Sequence, residues 1–299
     1  MIAVIIGFGS IGQRHYRILK KIKKIKKIYI CSNQKNIKIN LINEKSLKKI
    51  NPDYIVIAKP TSEHYHYCKK IEKLFKNKKV LIEKPLFNKL YNYKFKNNDY
   101  FVGYNLRFHP IINFVKRKIK NKKIISAKFY CGSNLKNWRK NIHYTKSSSA
   151  LKKSGGGVLN DLSHEIDFLY WFFGNLKFDF FKKEKISKLK INVEDSFEGL
   201  GKAEKVERFS VSLNYFSKLK KRFFLIDAEK FSIYADLLNL KLKMAIKNKI
   251  YTKFFEKHNY DDTYFKMHMS ILNKNYSKNK NLCTLKEGLK IQSFLNKYR

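Results

Sequence analysis

Three groups of residues in this sequence have types and spacings suited to chemistry. The first is Gly7-x-Gly9-x-x-Gly12, which follows the apolar run Ile2-Ala3-Val4-Ile5-Ile6 without a gap. A buried strand, a tight turn and a helix whose free N–H groups and dipole favour an anion make a pyrophosphate cradle. Gly7 permits the turn, Gly9 lets the backbone approach the phosphates, and Gly12 allows close helix–strand packing. Phe8, Ser10 and Ile11 complete that turn. The second group is Glu83-Lys84-Pro85, directly after the apolar run Val80-Leu81-Ile82. Pro85 restricts Lys84 to an extended backbone and permits a cis bond, which would aim the ammonium into a crevice at the sheet edge. The third is Asp161 with His164, three residues apart in a predicted helix over 159–173. Imidazole suits proton transfer near neutral pH, and a neighbouring carboxylate can orient it. Lone histidines are more often structural, and any single lysine in so basic a chain has a modest claim.

These groups need a scaffold. Ile11, His15, Ile18, Leu19, Ile22 and Ile25 recur at helical spacing after the glycines. Short apolar runs at 28–31, 54–58, 80–82 and 100–104 alternate with helical stretches, which predicts a parallel, doubly wound sheet. Ligands bind beyond the carboxyl ends of such strands, so residues 7–12, 60–62 and 83–85 are expected to converge on one crevice. Thr61 or Ser62 is expected to cap a helix starting near Glu63. A helix over 110–120 closes this part. In the predicted helix 159–173, Leu162, Ile166, Leu169 and Phe173 form a core stripe. Asp161, His164 and Glu165 lie opposite, with Phe168 alongside and Trp171 at the margin, suggesting an aromatic-walled cleft. Strand-like runs follow at 188–193, 207–215, 222–228 and 231–235, as in an antiparallel sheet packed on helices. Residues 236–260 read poorly. Thr284-Leu285-Lys286-Glu287 is a capping box opening a last helix to about residue 298. The expected fold class is α/β, with a doubly wound parallel-sheet domain over 1–118 and a second α/β domain over 119–299 built on a mostly antiparallel sheet.

Composition bounds the function classes. The 299 residues suffice for two domains, and 43% hydrophobic content argues for a globular chain. No apolar run approaches a membrane span. Met1 leads straight into the first strand, and Cys31, Cys68, Cys131 and Cys283 show no metal-like spacing. A reduced, cytoplasmic protein without metal or membrane insertion is the expectation. The net charge of +43 invites a polyanion partner. The lysines are spread along the whole chain, however, and Lys, Asn, Ile, Tyr and Phe are all abundant, as an A+T-rich gene would encode. Coding bias is the preferred reading, with no specific nucleic acid.

Gly7-Phe8-Gly9-Ser10-Ile11-Gly12, Pro60-Thr61-Ser62-Glu63-His64, Glu83-Lys84-Pro85, Arg107-Phe108-His109-Pro110 and Gly155-Gly156-Gly157-x-x-x-Asp161-x-x-His164-x-x-Asp167 occur in one order. In that order the chain resembles the glucose–fructose oxidoreductase/inositol dehydrogenase (Gfo/Idh/MocA) family. Residues 138–174 are most similar to the branch found with bacterial surface-polysaccharide and nonulosonic-acid pathways. The resemblance implies that the first domain is a Rossmann domain and that the second is built on a large open sheet through which a homodimer or homotetramer forms, with NAD(P)-dependent hydride transfer at a sugar, nucleotide-sugar or cyclitol carbon. It implies that Gly7 to Gly12, Ser32, Asn33, Pro60, Thr61, His64, Glu83 and Lys84 hold the cofactor. Lys84 would hold or protonate the substrate oxygen, His164 would exchange the hydroxyl proton, and Asp161 would bind substrate or orient that histidine. Arg107, Trp138 and Tyr144 would join Asp161 and His164 around the substrate.

Two features depart from the family pattern. Asp161 stands three residues before His164, where many members have four. His143-Tyr144-Thr145 replaces the Asp-Tyr-Arg common in the related branch. The second departure keeps a catalytically inactive cofactor-binding scaffold in view, and the charge keeps a nucleic-acid-binding protein as the more remote alternative. After Ile30 comes Cys31-Ser32-Asn33, with no acidic residue for the adenosine ribose hydroxyls. Ser32, Asn33 and Lys35 would suit a 2′-phosphate, which tilts the expected cofactor from NAD(H) to NADP(H).

Overall fold

Apolar runs with no polar face can fold only where both sides of a sheet are covered, and the N-terminal strands fold that way. The computed structural model describes residues 1–34, 39–139, 142–256 and 259–297. In chain order the elements begin with β1 (Ile2–Ile6), α1 (Ser10–Leu19), β2 (Lys27–Cys31), β3 (Leu41–Ile42) and α2 (Leu47–Ile50). They continue with β4 (Tyr54–Ile57), α3 (Thr61–Leu74), β5 (Lys79–Ile82), β6 (Asp99–Val102), α4 (Pro110–Lys118) and β7 (Ile124–Gly132). Next come α5 (Val158–Asp161), α6 (His164–Phe173), β8 (Leu176–Glu184), β9 (Ser196–Ala203), β10 (Val206–Asn214) and β11 (Lys221–Ala228). The last are β12 (Phe231–Asp236), β13 (Lys241–Ile246), β14 (Lys249–Phe254), α7 (Tyr260–Leu272), β15 (Cys283–Thr284) and α8 (Leu285–Lys297).

The chain forms two units, Met1–Phe108 with Asn259–Ser293, and His109–His258 with Phe294–Arg299. In the first unit the sheet order is β15-β6-β5-β4-β1-β2-β3. All its pairings are parallel except β15 with β6. The order reverses between β1 and β4, and such a switch point opens a crevice at the strands' carboxyl ends. All four residues of β4 are buried, as are Ala3 to Ile6 of β1. Each fully buried aliphatic side chain contributes about 1.5–3 kcal/mol relative to exposure. Ile18 and Leu19 of α1 and Met267 and Ile271 of α7 complete this core. The capping box forms as expected: Thr284 N–H donates to Glu287 Oε2 (3.0 Å), and Glu287 N–H donates to Thr284 Oγ1 (3.3 Å). The expected cap of α3 does not form from Thr61 or Ser62. Extended Pro60 precedes the first turn and Thr61 is already helical.

The second unit carries the sheet β14-β13-β12-β11-β7-β10-β9-β8, antiparallel except for β7 with β10. The two-sheet α/β architecture read from the sequence is therefore present. β10 and β11 alternate buried and partly exposed residues over most of their length, as a sheet with one covered face requires. Residues 188–193 are not a strand. Asp195 takes the N–H groups of Ile186 and Ser187 and the Ser187 hydroxyl, and Ser187 Oγ in turn accepts from Leu189 N–H. Such local side-chain bonds compete with a ladder. The strands that flank this segment are instead β8 and β9, and residues 241–254 form the hairpin β13–β14. The helix expected over 159–173 is broken at Leu162 and Ser163 into α5 and α6. Among the described residues no helix is long and apolar enough to cross a membrane, and no group of His, Cys, Asp and Glu could hold a metal ion.

Candidate functional site

In the first unit, the turn after β1 is shaped by close backbone packing. Gly7 has φ 95°, and its N–H donates to the Cys31 carbonyl at 2.9 Å. A Cβ at Gly7 would stand 2.6 Å from the Ala58 carbonyl oxygen, and one at Gly12 would stand 2.2 Å from the Gly7 oxygen. At Gly9, which precedes α1, a Cβ would meet nothing within 4 Å. The turn is thus packed on two sides and open at the residue that heads the helix. That combination suits a dinucleotide pyrophosphate resting on the N-terminus of α1. Phe8 and Ile11 are half-buried, and Ser10 is exposed at the first helical position.

The loops after β4 and β5 join this end of the sheet. Pro60 and Thr61 follow β4 and lead into α3. His64 is buried, with Nε2 2.8 Å from the Lys59 carbonyl and Nδ1 3.1 Å from the carbonyls of Pro85 and Leu86. One imidazole therefore lies between both loops, and in its neutral form its single N–H donates to one of them. Burial lowers its pKa below the usual histidine value, against the pull of those carbonyls. The Lys84–Pro85 bond is cis, and Lys84 N–H donates to its neighbour's Glu83 Oε2 at 3.2 Å. Glu83 Oε1 lies 2.8 Å from His15 Nε2. Lys84 itself is half-buried.

Beyond β2, Ser32 Oγ accepts from Gln34 N–H and Asn33 is exposed, while Lys35 lies outside the described residues. The Cys31 thiol is pushed up to about 11, by burial first and by the Glu44 charge second. The Glu44 carboxylate is itself held by Lys70 and by the Tyr67 hydroxyl, which lower its pKa. Arg107 is fully buried, and its Nη1 donates to Glu287 Oε1 at 3.2 Å and to the Leu282 carbonyl at 3.4 Å.

In the second unit the carboxylate and the imidazole do not share one continuous helix. Asp161 closes α5 and His164 opens α6, so the projection of both onto one helical face is corrected. The physical reason is that α6 is buried almost all round. His164, Glu165 and Asp167 are buried with Ile166 and Phe168, and Glu165 needs the bidentate Arg222 at 2.7 and 3.0 Å. Phe168 packs near Phe129 and Phe172 and is fully buried, so it belongs to the core and not to a cleft wall.

Asp161 Oδ2 accepts a 2.6 Å hydrogen bond from the Tyr215 hydroxyl. Burial, then the Asp161 charge, holds the Tyr215 phenol well above its ordinary pKa, so it remains the donor. Trp138 stands edge-on to Tyr215 at 5.1 Å and donates from Nε1 to Ser133 Oγ at 2.8 Å. Tyr144 is half-buried, and its hydroxyl accepts from Lys190 N–H at 3.2 Å. The structure therefore brings Asp161 and Trp138 together through Tyr215. Sequence reasoning missed that residue, whose only signal is its place at the end of β10. It also missed Arg139, whose charge acts on the same phenol and whose Nη2 donates to Ser148 Oγ at 3.3 Å.

Residues 1–94 match the family model for Gfo/Idh/MocA, described as an oxidoreductase family with an NAD-binding Rossmann fold. Across the whole chain, the fold is similar to that of several solved structures. A levoglucosan dehydrogenase in complex with NADH is 14% identical, with a TM-score of 0.84 over 100% of this chain and 95% of that one. The WlbA dehydrogenase of Bordetella pertussis, in complex with NADH and UDP-GlcNAcA, is 16% identical, with a TM-score of 0.79 over 100% and 94%. The UDP-N-acetylglucosamine 3-dehydrogenase GnnA of Acidithiobacillus ferrooxidans is 14% identical, with a TM-score of 0.78 over 100% and 96%. A search of curated proteins found no match.

Proposed function

We propose that this chain is an NAD(P)-dependent oxidoreductase of the Gfo/Idh/MocA family that moves a hydride between nicotinamide and a carbon of a sugar or nucleotide sugar. The observation that carries this reading is the Gly7–Gly12 turn at the switch point of a parallel sheet, inside the segment that matches the family model. The family order of motifs and the substrates named for the similar structures support the substrate class. The affinity of residues 138–174 to the surface-polysaccharide branch supports a role in making bacterial glycan precursors. In this division of labour residues 1–118 serve the cofactor, and residues 119–299 serve substrate and subunit contacts. A second copy would cover the open sheet face, where Ile125, Phe180 and Leu200 are exposed.

A bound nicotinamide supplies the redox chemistry, and the chain's own residues do the rest. Gly7 to Gly12 seat the diphosphate, with Pro60, Thr61, His64 and Glu83 shaping the strand-end loops around it. In the oxidative direction a carbinol C–H and O–H bond break as a C=O bond forms. Lys84 holds the substrate oxygen, and His164 receives the hydroxyl proton. Asp161 binds substrate or orients His164, and Arg107, Trp138 and Tyr144 contribute to substrate recognition. Ser32 and Asn33, without an acidic neighbour on the strand end, favour the 2′-phosphate of NADP(H).

The test is fluorescence titration with NADH and NADPH, followed by a screen of sugars and sugar nucleotides for changes in nicotinamide absorbance. The expected result is binding of at least one cofactor and substrate-dependent turnover, abolished in Lys84→Ala and strongly lowered in His164→Ala. Full turnover in both variants would remove the catalytic assignment, and binding of neither cofactor would remove the reading.

A further inference from the structure

Behind the Lys84 loop the first unit buries a row of four polar side chains that hydride transfer does not call for. Tyr54 of β4, His268 of α7 and His15 of α1 are fully buried, and Glu83 is 6% exposed. The Tyr54 hydroxyl lies 2.8 Å from His268 Nδ1, and His268 Nε2 lies 2.8 Å from His15 Nδ1. His15 Nε2 lies 2.8 Å from Glu83 Oε1. Successive rings stand nearly perpendicular, at 84° for Tyr54 with His268 and 83° for His268 with His15. Polar groups buried this deeply are costly unless every one is satisfied, so the row is satisfied as a set or not at all.

With Glu83 ionised and both imidazoles neutral, the three bonds can run in one direction only. An ionised Glu83 has only acceptors, so His15 must donate from Nε2. A neutral His15 then accepts at Nδ1, which requires His268 to donate from Nε2. His268 accepts in turn at Nδ1, and the Tyr54 hydroxyl donates. Three bonds use three protons, all pointing towards Glu83. Burial holds His268 well below the usual histidine pKa, in keeping with a neutral ring. The far end of the row, Tyr54, is sealed from solvent, so the row conveys orientation and is no route for protons to water. The other oxygen of Glu83 accepts the Lys84 backbone N–H.

We propose that Tyr54, His268 and His15 are positioning residues, a one-way hydrogen-bond row that orients Glu83, whose carboxylate sets the Lys84 loop from behind. Its consequence for cofactor binding rests on the oxidoreductase reading; the row itself does not.

Two measurements test it. In histidine labelled with nitrogen-15, long-range proton–nitrogen correlation at neutral pH is expected to show His15 and His268 both neutral and both protonated at Nε2. An Nδ1-protonated ring at either position, or a charged His15, overturns the row. Titration with whichever of NADH and NADPH the wild type binds more tightly then tests the consequence. A glutamine amide offers a donor and an acceptor at a spacing close to that of the two imidazole nitrogens. His268→Gln is therefore expected to bind within about twofold of the wild type, whereas His268→Leu weakens binding about tenfold and Tyr54→Phe about threefold. Equal binding by His268→Gln and His268→Leu would overturn positioning through hydrogen bonds. Tyr54→Phe, nearly isosteric, keeps the test decisive if the leucine variant does not fold, since wild-type affinity there would also overturn it. A wild-type protein that binds neither NADH nor NADPH would instead fell the oxidoreductase reading, while the nitrogen signatures still decide the row.

Discussion

The cofactor end of the first unit and the Asp161 region of the second are assembled by different means. The first is made of backbone: a turn packed against the Ala58 carbonyl, strand ends hydrogen-bonded to one another, and one buried imidazole set between two loops. The second is made of side chains meeting across long sequence separations, as Tyr215 does with Asp161 and Arg222 does with Glu165. A site held by backbone packing is intolerant of added atoms, whereas a site held by side-chain pairs is intolerant of lost partners. The two regions should therefore break under opposite kinds of substitution.

The largest effect is expected from removing a partner in the second unit. Arg222→Leu leaves Glu165 as a buried carboxylate without its bidentate cation, a loss of about 3–5 kcal/mol. Replacing both residues by leucine should recover much of that, because no lone charge remains. Urea denaturation of the single and double variants measures both quantities. A single variant as stable as wild type would mean that the pair does not hold this region.

Adding atoms in the first unit comes next. Gly7→Val forces a β-branched residue to φ 95° and into the Ala58 carbonyl, and the backbone strain alone costs about 1–3 kcal/mol. Gly9→Ala meets no neighbour, so its unfolding curve should match the wild type while NADH affinity falls about tenfold through the lost approach to the phosphates. Unchanged affinity in Gly9→Ala would show that the open side of the turn does not face the dinucleotide.

Acid should also distinguish the first unit through its buried histidines. His64 and His268 both have folded pKa values lowered by burial. Below about pH 6.5 the unfolded chain takes up protons that the folded chain refuses, so stability is full above that value and declines as pH falls. Each such histidine adds a slope of about 1.4 kcal/mol per pH unit, at a pH above the range where carboxylates titrate. Denaturation series from pH 7.5 to 5 on wild type and His268→Gln should show the shallower slope in the variant.

How much of this was legible in the sequence follows the same division. Gly7, Gly9, Gly12, Pro60 and Pro85 act through their own backbone within a few residues, so their spacing already describes the turn and the loops they shape. The capping box of Thr284 and Glu287 is local in the same sense. The break at Leu162 and Ser163 was not legible, because helical periodicity says nothing of the tertiary demands on Glu165 and Asp167. Strands β8 and β9 were obscured by lysines and glycines whose role is set by the neighbouring strand. The row from Tyr54 to Glu83 joins residues up to 253 positions apart, and no local pattern announces it.

The smallest effect is the one that most sharpens the comparison. Tyr215→Phe deletes a single hydroxyl from a fully buried ring and keeps the edge-on contact with Trp138. Asp161 is partly exposed, so water can replace the lost donor, and the stability change should be about 1 kcal/mol. What changes is the orientation of the carboxylate. If Asp161 serves substrate, turnover in Tyr215→Phe should fall severalfold while NADH affinity stays at the wild-type value. A parallel fall in NADH affinity would mean that the second unit's side-chain pairs also shape the cofactor end, and the separation of the two building methods would not hold.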